Sequence, residues 1–223
     1  MSMGTQAHTA ARVAARPALQ AGGRVVRGHT LKAAPWKNGG GVTREIAAYP
    51  VGASLETFVW RVSVADVERS GPFSQFPGID RKLVLLAGSG MHLAQARGAT
   101  HALMEPLAVA SFDGEAALDA QLVDGATRDF NLMVRRDRAD ATLEIWPGAH
   151  GRRCRLAADA ALVFCASGSL DVHLDGVSPS RAAAPSSHVA LGAMDTLLLD
   201  SPRGLACEVT GDGTALVVQL RYV

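Results

Sequence analysis

Two apolar runs flank a glycine turn in Ala161-Leu-Val-Phe-Cys-Ala-Ser-Gly-Ser-Leu-Asp-Val-His-Leu-Asp175. The earlier stretch Arg81-Lys-Leu-Val-Leu-Leu-Ala-Gly-Ser-Gly-Met-His-Leu93 has the same order of features. Short β-branched and aliphatic runs separated by glycine are typical of consecutive strands. A further apolar stretch follows each of them after a polar loop, at 107–113 and at 191–200. The repetition predicts two related β modules.

Turn-forming residues also separate the apolar runs in the rest of the chain. Gly, Pro or Ser interrupts the apolar runs every ~8 to 12 residues, which is the spacing of a β-sandwich or barrel. We therefore expect an all-β, cupin-like fold with two jelly-roll barrels, since closed jelly rolls pair nearly every strand edge. Residues 1–22 are Ala-rich, which predicts a flexible N-terminal extension. We expect residues 23–145 to form the first module, with a ligand pocket, and residues 146–223 to form the second.

Composition restricts the classes of function. A hydrophobic content of 48% is that of an ordinary globular protein, and a net charge of +1 argues against nucleic acid or an anionic membrane as the main partner. No run reaches the ~18 to 20 apolar residues of a membrane span. Three cysteines without a CxxC indicate neither a disulfide framework nor a zinc knuckle. These observations favour a cytoplasmic protein that binds a small molecule.

The most unusual segment is Pro35-Trp-Lys-Asn-Gly-Gly-Gly-Val-Thr-Arg-Glu-Ile46. Three glycines let the backbone approach a ligand closely, Lys37 and Arg44 can neutralise a carboxylate, and Asn38 can orient it. An anion pocket is one interpretation of this segment. The other is a glycine loop before an edge strand, with Trp36 as core filler.

Two alternating strands add further polar candidates. In Trp60-Arg-Val-Ser-Val64 the apolar residues share one face, and Arg61 and Ser63 share the other. Asp129-Phe-Asn-Leu-Met-Val-Arg135 alternates in the same way and places Asp129 with Asn131. A polar barrel interior has this pattern, and so does a solvated outer face.

The loop Gly71-Pro-Phe-Ser-Gln-Phe-Pro-Gly-Ile-Asp-Arg81 combines turn formers with two aromatic residues. Phe73 and Phe76 can form the wall of a pocket, and we expect Asp80 to pair with Arg81. A packed loop without a ligand explains the same residues. The expected ligand-binding set is Trp36, Lys37, Asn38, Gly39, Arg44, Arg61, Ser63, Phe73, Phe76 and Asn131.

Neither a metal nor an organic cofactor is expected. The histidines at 92, 101, 150, 173 and 188 are scattered singly, without the HxH or HxxE spacing of a metal site. A GxSxG elbow and a phosphate loop are absent from the sequence. If the protein is an enzyme, Glu45 or Asp129 is the candidate general base.

In their order and spacing, the stretches 35–46, 60–64, 71–81 and 129–135 resemble the HutD/Ves family, and the resemblance covers roughly residues 25–223. It implies a bicupin of RmlC-like type with two double-stranded β-helix barrels and without the usual metal ligands, often encoded beside enzymes of histidine degradation. The implied ligand is a small acidic metabolite of that pathway: formiminoglutamate, formylglutamate or urocanate.

Three functions remain open at this point. The first is a binding and regulatory protein that holds a carboxylate metabolite in the first barrel and modulates histidine utilisation. The second is a slow, metal-independent hydrolase or isomerase of a formyl or imino amino acid. The third is a structural homodimer whose pocket is vestigial, because a fold alone does not assign chemistry.

Overall fold

The computed structural model describes residues 23–95, 98, 100–176 and 187–223. Within these ranges the regular structure consists of nineteen β-strands and one 3-10 turn at Gly28–Thr30. The prediction of an all-β chain is confirmed. The extension predicted for residues 1–22 lies outside the described residues.

The strands are short, and turns that contain glycine, proline or aspartate separate most of them. In chain order they are β1 (Gly23–Val26), β2 (Ala33–Pro35), β3 (Gly41–Tyr49), β4 (Trp60–Val67), β5 (Gly71–Pro72), β6 (Ile79–Ala87), β7 (Met91–Gln95), β8 (Thr100–Leu103), β9 (Val109–Asp113), β10 (Leu118–Leu122), β11 (Thr127–Arg135), β12 (Ala139–Trp146), β13 (Arg152–Arg155), β14 (Ala160–Ser167), β15 (Ser169–Asp175), β16 (Ser187–Gly192), β17 (Thr196–Asp200), β18 (Ala206–Thr210) and β19 (Thr214–Tyr222).

Two antiparallel sheets form the first barrel. The larger has the order β2-β3-β4-β11-β6-β9, and the smaller has the order β5-β10-β7-β8. Apolar side chains from both sheets, among them Leu83, Leu85, Met91 and Leu93, form its core. The alternation of strand residues is what directs one face of each sheet into this core.

The second barrel repeats this plan. Its larger sheet has the order β1-β17-β14-β19-β12 and its smaller sheet β13-β18-β15-β16. In both large sheets the long central strand, β11 or β19, lies between equivalent partners, β4 and β6 in one barrel and β12 and β14 in the other. The two stretches that suggested a repeat are the equivalent strand pairs β6–β7 and β14–β15. The predicted bicupin class with two jelly-roll barrels is thus confirmed.

Strand pairing also bears on where one module ends. β12 is the equivalent of β4 and pairs with β19 over its whole length. The pairing therefore favours a boundary between β11 and β12, somewhat before the predicted division after residue 145. That division stays a prediction.

The large sheets of the two barrels pack against each other. Their shared core contains Val62 and Phe130 from the first barrel and Phe164 and Leu216 from the second. The rings of Phe130 and Phe164 meet with their centroids 5.0 Å apart. Four sheets are therefore layered, with a small sheet on each outside and the two large sheets in the middle.

The N-terminal strand belongs to the second barrel, where β1 pairs with β17 along its four residues. Asp195, just before β17, accepts a hydrogen bond from the backbone N–H of Gly28 at 2.9 Å and forms an ion pair with Arg27 at 2.6 Å. A Cβ atom at position 28 would lie 2.5 Å from that of Met194, so this close approach requires glycine. The chain then crosses to β2 and begins the first barrel.

Candidate functional site

One face of the large sheet of the first barrel carries polar side chains into the barrel. The apolar residues Trp60, Val62 and Val64 of β4 lie in the core between the barrels. Their strand neighbours Arg61 and Ser63 consequently face the first barrel. The alternation that the sequence predicted for β4 and β11 is confirmed.

Strand register shows which of these polar residues are neighbours. Met133 of β11 lies between Arg61 and Arg81, and Asn131 lies between Ser63 and Leu83. One step further along, Asp129 lies between Ala65 and Leu85. Directly paired residues of an antiparallel sheet share a face, so these three rows lie on the barrel side.

Arg81 is the most constrained of these residues, because it is only 6% exposed. Its guanidinium lies over the rings of three phenylalanines, with centroid distances of 5.6 Å to Phe73, 5.5 Å to Phe76 and 5.0 Å to Phe112. Nη1 donates to the carbonyl of Ser74 at 3.3 Å, and Nε has no hydrogen-bond partner among the described residues.

The charge of Arg81 persists in this apolar setting. Burial, and secondarily the positive charge of Arg61, lower its pKa to about 10, so the guanidinium remains protonated at neutral pH. Ring faces compensate a cation only weakly. A buried cation with an unused N–H donor is stabilised by an anionic ligand, which supplies the opposite charge and a hydrogen-bond acceptor.

Arg61 is a second cation on this face and is partly compensated. Its Nε donates to the Glu45 carboxylate at 2.7 Å, and its Nη1 lies 3.4 Å from Ser63 Oγ. The Arg61 side chain is 14% exposed, whereas that of Glu45 is 46% exposed. Glu45, one of the two candidate bases, is therefore an outer ion-pair partner of Arg61.

Asp129, the other candidate base, is 0% exposed. Thr127 Oγ1 lies 3.4 Å from its Oδ2, and neither its Oδ1 nor the Oδ1 of Asn131 has a hydrogen-bond partner in the described part of the chain. Burial raises the pKa of Asp129 to about 7, against the weaker lowering effect of the Thr127 hydroxyl. A carboxyl group with this pKa exchanges its proton near neutrality.

The aromatic residues form the mouth of the barrel. A cavity of about 240 Å³ is lined by Trp36, Asn38 and Phe73. Trp36 meets Phe73 edge-on with centroids 6.3 Å apart, and its Nε1 donates to Thr43 Oγ1 at 2.7 Å. Because Phe73 also contacts Arg81, this cavity adjoins the buried cation.

The glycine segment serves chiefly to shape this mouth. Asn38 Oδ1 accepts a hydrogen bond from Gly40 N–H at 3.0 Å, and Gly39 takes a positive φ of 66° in the turn. A Cβ atom on Gly41 would lie 2.4 Å from the carbonyl oxygen of Asp66. The segment thus closes a turn, allows two strands to approach closely and positions Trp36.

Two predicted anion partners lie outside this cluster. Lys37 is exposed on the turn. Arg44 pairs with Val64 in the register, so it lies on the opposite face of the sheet from Arg61, where it forms an ion pair with Asp66. The structure therefore brings together Trp36, Asn38, Arg61, Ser63, Phe73, Phe76 and Asn131 around the first barrel and separates Lys37 and Arg44 from them.

Arg81 and Phe112 are the residues that the sequence interpretation missed. The expected pair of Asp80 with Arg81 is wrong, because adjacent strand residues point to opposite faces, and Asp80 instead pairs with Arg136 at 2.9 Å. The signal was available in β6: Arg81 shares its face with Ile79 and Leu83, so an arginine stands in an otherwise apolar row. Phe112 gave no such signal.

A second cavity, of about 340 Å³, lies at the junction of the two large sheets. Its lining combines apolar side chains of β11 and β12 with the charged residues Asp80, Lys82, Asp113 and Asp140. Asp80 is held by Arg136. Arg81 and Phe112 are also among its lining residues, so this cavity borders the buried cation as well.

Two histidines on consecutive strands meet on the small sheet of the second barrel. His173 and His188 are paired across β15 and β16 with ring centroids 4.7 Å apart, and His188 Nε2 lies 2.8 Å from Asp171. Over the described ranges, no group of three or more His, Cys, Asp or Glu side chains is placed to hold a metal ion. The expectation of a protein without a metal stays a prediction.

Among the helices of the described residues, none has the length and apolarity needed to cross a membrane.

Comparison with known proteins agrees with this architecture. A protein from Pseudomonas putida, described as an uncharacterized 21.2 kDa protein in the hutC 3′ region, is 35% identical over 189 residues, which are 84% of this chain and 93% of that one. Protein Ves of Escherichia fergusonii is 38% identical over 113 residues, which are 49% of this chain and 56% of its own.

A solved structure extends the likeness to three dimensions. HutD from Pseudomonas fluorescens SBW25, solved in a formate condition, superposes with a TM-score of 0.76 at 32% identity, covering 90% of this chain and 99% of that one. The HutD family model matches residues 28–217. The match spans both barrels and the whole polar face of the first, and the chain belongs to the HutD family.

Proposed function

We propose that this protein is a metal-independent cupin that binds a small carboxylate metabolite in the first barrel and modulates histidine utilisation. The observation that carries the proposal is Arg81, a buried cation among three phenylalanine rings whose Nε lacks a partner within the described residues. A carboxylate would supply both the missing charge and the missing acceptor.

Neighbouring groups support a carboxylate over a purely apolar ligand. Arg61 and Arg81 lie in one row of the sheet, on either side of Met133. Ser63 and Asn131 lie in the next row. Pockets for small molecules typically combine apolar walls with a few such convergent polar groups. The phenylalanine rings and the Trp36 mouth provide the walls in this barrel.

The choice of metabolite follows from the resemblance to a family linked to histidine utilisation. The Pseudomonas putida protein is described by its position in the hutC 3′ region, and the family name refers to the same locus. Urocanate, formiminoglutamate and formylglutamate all carry carboxylates, which fits Arg81 and Arg61. We place this activity in the cytoplasm, where such metabolites occur.

Calorimetric titration of the chelator-treated protein with these three compounds tests the proposal. We expect saturable binding of at least one of them, and a loss of tenfold or more in affinity in Arg81→Met, because about 1.4 kcal/mol corresponds to a factor of ten and a charge-assisted hydrogen bond is worth about 1.5–3 kcal/mol. Arg153→Met is the matched control, since Arg153 is exposed on β13 of the second barrel. Equal affinity in Arg81→Met and the unaltered protein would exclude this site.

Asp129 favours a second candidate function. A buried carboxyl group with a pKa of about 7 suits a general acid or base, as a hydrolase or isomerase of a formyl or imino amino acid would need. Mass spectrometry of each titration mixture distinguishes the two. Slow product formation that disappears in Asp129→Asn would identify an enzyme, whereas binding without product would support the regulatory function.

A further inference from the structure

The polar lining of the first barrel has a cationic part and an acceptor part. Arg61 and Arg81 flank Met133 in one row of the sheet. Asn131 lies one row further along β11 and Asp129 two rows further, and successive rows on one face are separated by about 6.6 Å. A ligand held by its carboxylate at the arginine row would extend toward these two side chains.

The acceptor part is short of hydrogen-bond donors. Asp129 Oδ1 and Asn131 Oδ1 are both buried without a hydrogen-bond partner in the described ranges. The Thr127 hydroxyl donates to the other carboxyl oxygen of Asp129 at the long distance of 3.4 Å. An unpaired buried acceptor is unfavourable, and more so if it is charged, so two of them in adjacent rows indicate a group that supplies N–H donors.

The charged groups that face this barrel leave Asp129 uncompensated. From the large sheet they are Glu45, Arg61 and Arg81, and from the small sheet His101, whose ring lies 6.0 Å from Phe112. A further cation, Arg69, lines the cavity at the mouth. Arg61 bonds Glu45, and Arg81 is enclosed by phenylalanine rings. Asp66, on the opposite face of the sheet, adds a negative charge that further disfavours ionised Asp129.

We infer that the first barrel selects carboxylate ligands that also carry a cationic N–H group, such as an amidinium, which binds Asp129 and Asn131. This inference rests on the proposed function, because it assumes that the carboxylate end occupies the arginine row. It adds a selectivity: of two ligands with the same carboxylates, the one with an amidinium is preferred to the one with a neutral amide.

The charge of Asp129 is what distinguishes these two ligands. An amidinium offers two parallel N–H donors and a positive charge, so it would hold Asp129 ionised and bond it as a charge-assisted pair. A neutral amide offers one N–H donor and no charge, so it does not favour ionised Asp129, whose pKa stays at about 7. The preference should therefore increase as the pH rises through this value.

The test compares formiminoglutamate with formylglutamate, which differ by an amidine nitrogen in place of an amide oxygen, and uses glutarate as a carboxylate without nitrogen. Calorimetric titrations at about pH 6 and about pH 8 lie on either side of the Asp129 pKa of about 7. We expect formiminoglutamate to bind about tenfold or more tightly than formylglutamate at the higher pH, with a smaller ratio at the lower pH.

Variants assign the effect to Asp129. In Asp129→Asn the two nitrogen ligands should bind within about threefold of each other at both pH values, while the glutarate affinity is retained. Asn131→Leu should weaken both nitrogen ligands and keep the pH dependence. His101→Gln, the control variant on the small sheet, should leave the ratio and its pH dependence unchanged.

The outcomes separate this inference from the proposed function. If formylglutamate binds as tightly as formiminoglutamate and the binding still depends on Arg81, the selectivity is overturned and the carboxylate site stands. If the preference for formiminoglutamate persists in Asp129→Asn, its assignment to Asp129 is overturned. If all three compounds fail to bind the unaltered protein, both conclusions fall together.

Discussion

A single arginine sets the electrostatics of the first barrel. Arg81 is surrounded by Phe73, Phe76 and Phe112, and its position follows from strand alternation, because it is flanked in β6 by residues that face the other way. The sequence contained this information, but the adjacency of Asp80 and Arg81 suggested an ion pair instead. Residues next to each other in a strand do not share a face, and this rule outweighs their proximity in the sequence.

Asp129 predicts an unusual dependence of stability on pH in the ligand-free protein. Its folded-state pKa of about 7 lies above the usual 3.8, so folded protein retains a proton that unfolded protein releases. The free energy of unfolding should therefore fall by up to about 4 kcal/mol as the pH rises from about 4 to about 7, then level off.

Denaturant unfolding across this pH range checks the effect. Asp129→Asn removes the ionisable group, so its stability relative to the unaltered protein should increase with pH over the same interval. Asp124→Asn, in an exposed turn, serves as the control. A difference between Asp129→Asn and the unaltered protein that does not vary with pH would contradict the raised pKa.

At the scale of single elements, the sequence predicted the strands well and their neighbours less well. The two stretches around the glycine turns are β6–β7 and β14–β15, as the repeat suggested. The alternation in β4 and β11 identified Ser63 and Asn131 as members of the barrel face. Arg44 was misplaced because it was grouped with Lys37 by proximity in the glycine segment, whereas in β3 it pairs with Val64 and so lies on the face opposite Glu45.

The glycine segment before β3 predicts two different costs of substitution. Gly41→Ala would place a Cβ atom 2.4 Å from the Asp66 carbonyl oxygen and 3.3 Å from the Trp36 ring, whereas Gly39→Ala meets nothing within 4 Å and is strained only by its φ of 66°. We expect a loss of about 2 kcal/mol for Gly41→Ala and about 1 kcal/mol for Gly39→Ala.

Thermal and denaturant unfolding measure these losses, and ligand titration adds a functional readout. Gly41→Ala should also displace Trp36 and weaken carboxylate binding, while Gly39→Ala should leave the binding nearly unchanged. A larger loss of stability in Gly39→Ala than in Gly41→Ala would show that backbone conformation, and not close approach, determines the need for glycine here.

At the scale of the whole molecule, the two barrels share a core and should unfold together. Phe130 and Phe164 come from different barrels and contact each other within the apolar layer between the large sheets. No local pattern predicts which sheet faces pair in this way, because both faces of β4 and β11 carry buried residues. Long-range packing is therefore the part of the fold that the sequence left undetermined.

Substitution of these two rings tests the coupling. Phe130→Ala and Phe164→Ala should each lower the free energy of unfolding by about 3–5 kcal/mol, and the double variant should lose less than the sum, because the rings are in contact. Tryptophan fluorescence, with Trp36 and Trp60 in one barrel and Trp146 in the other, should follow the same transition as circular dichroism. Two separate transitions would show that the barrels fold independently.

The pairing of β1 with β17 has a consequence for biosynthesis. β1 leaves the ribosome about 170 residues before its partner strand, which at about 5–20 residues per second is a delay of roughly ten to thirty seconds. During that interval the first barrel can acquire its strands, while Gly23–Val26 has no sheet to join. The N-terminal strand β1 is thus among the last strands to pair. Until β17 has been synthesised, the unpaired backbone of β1 is accessible to nascent-chain chaperones.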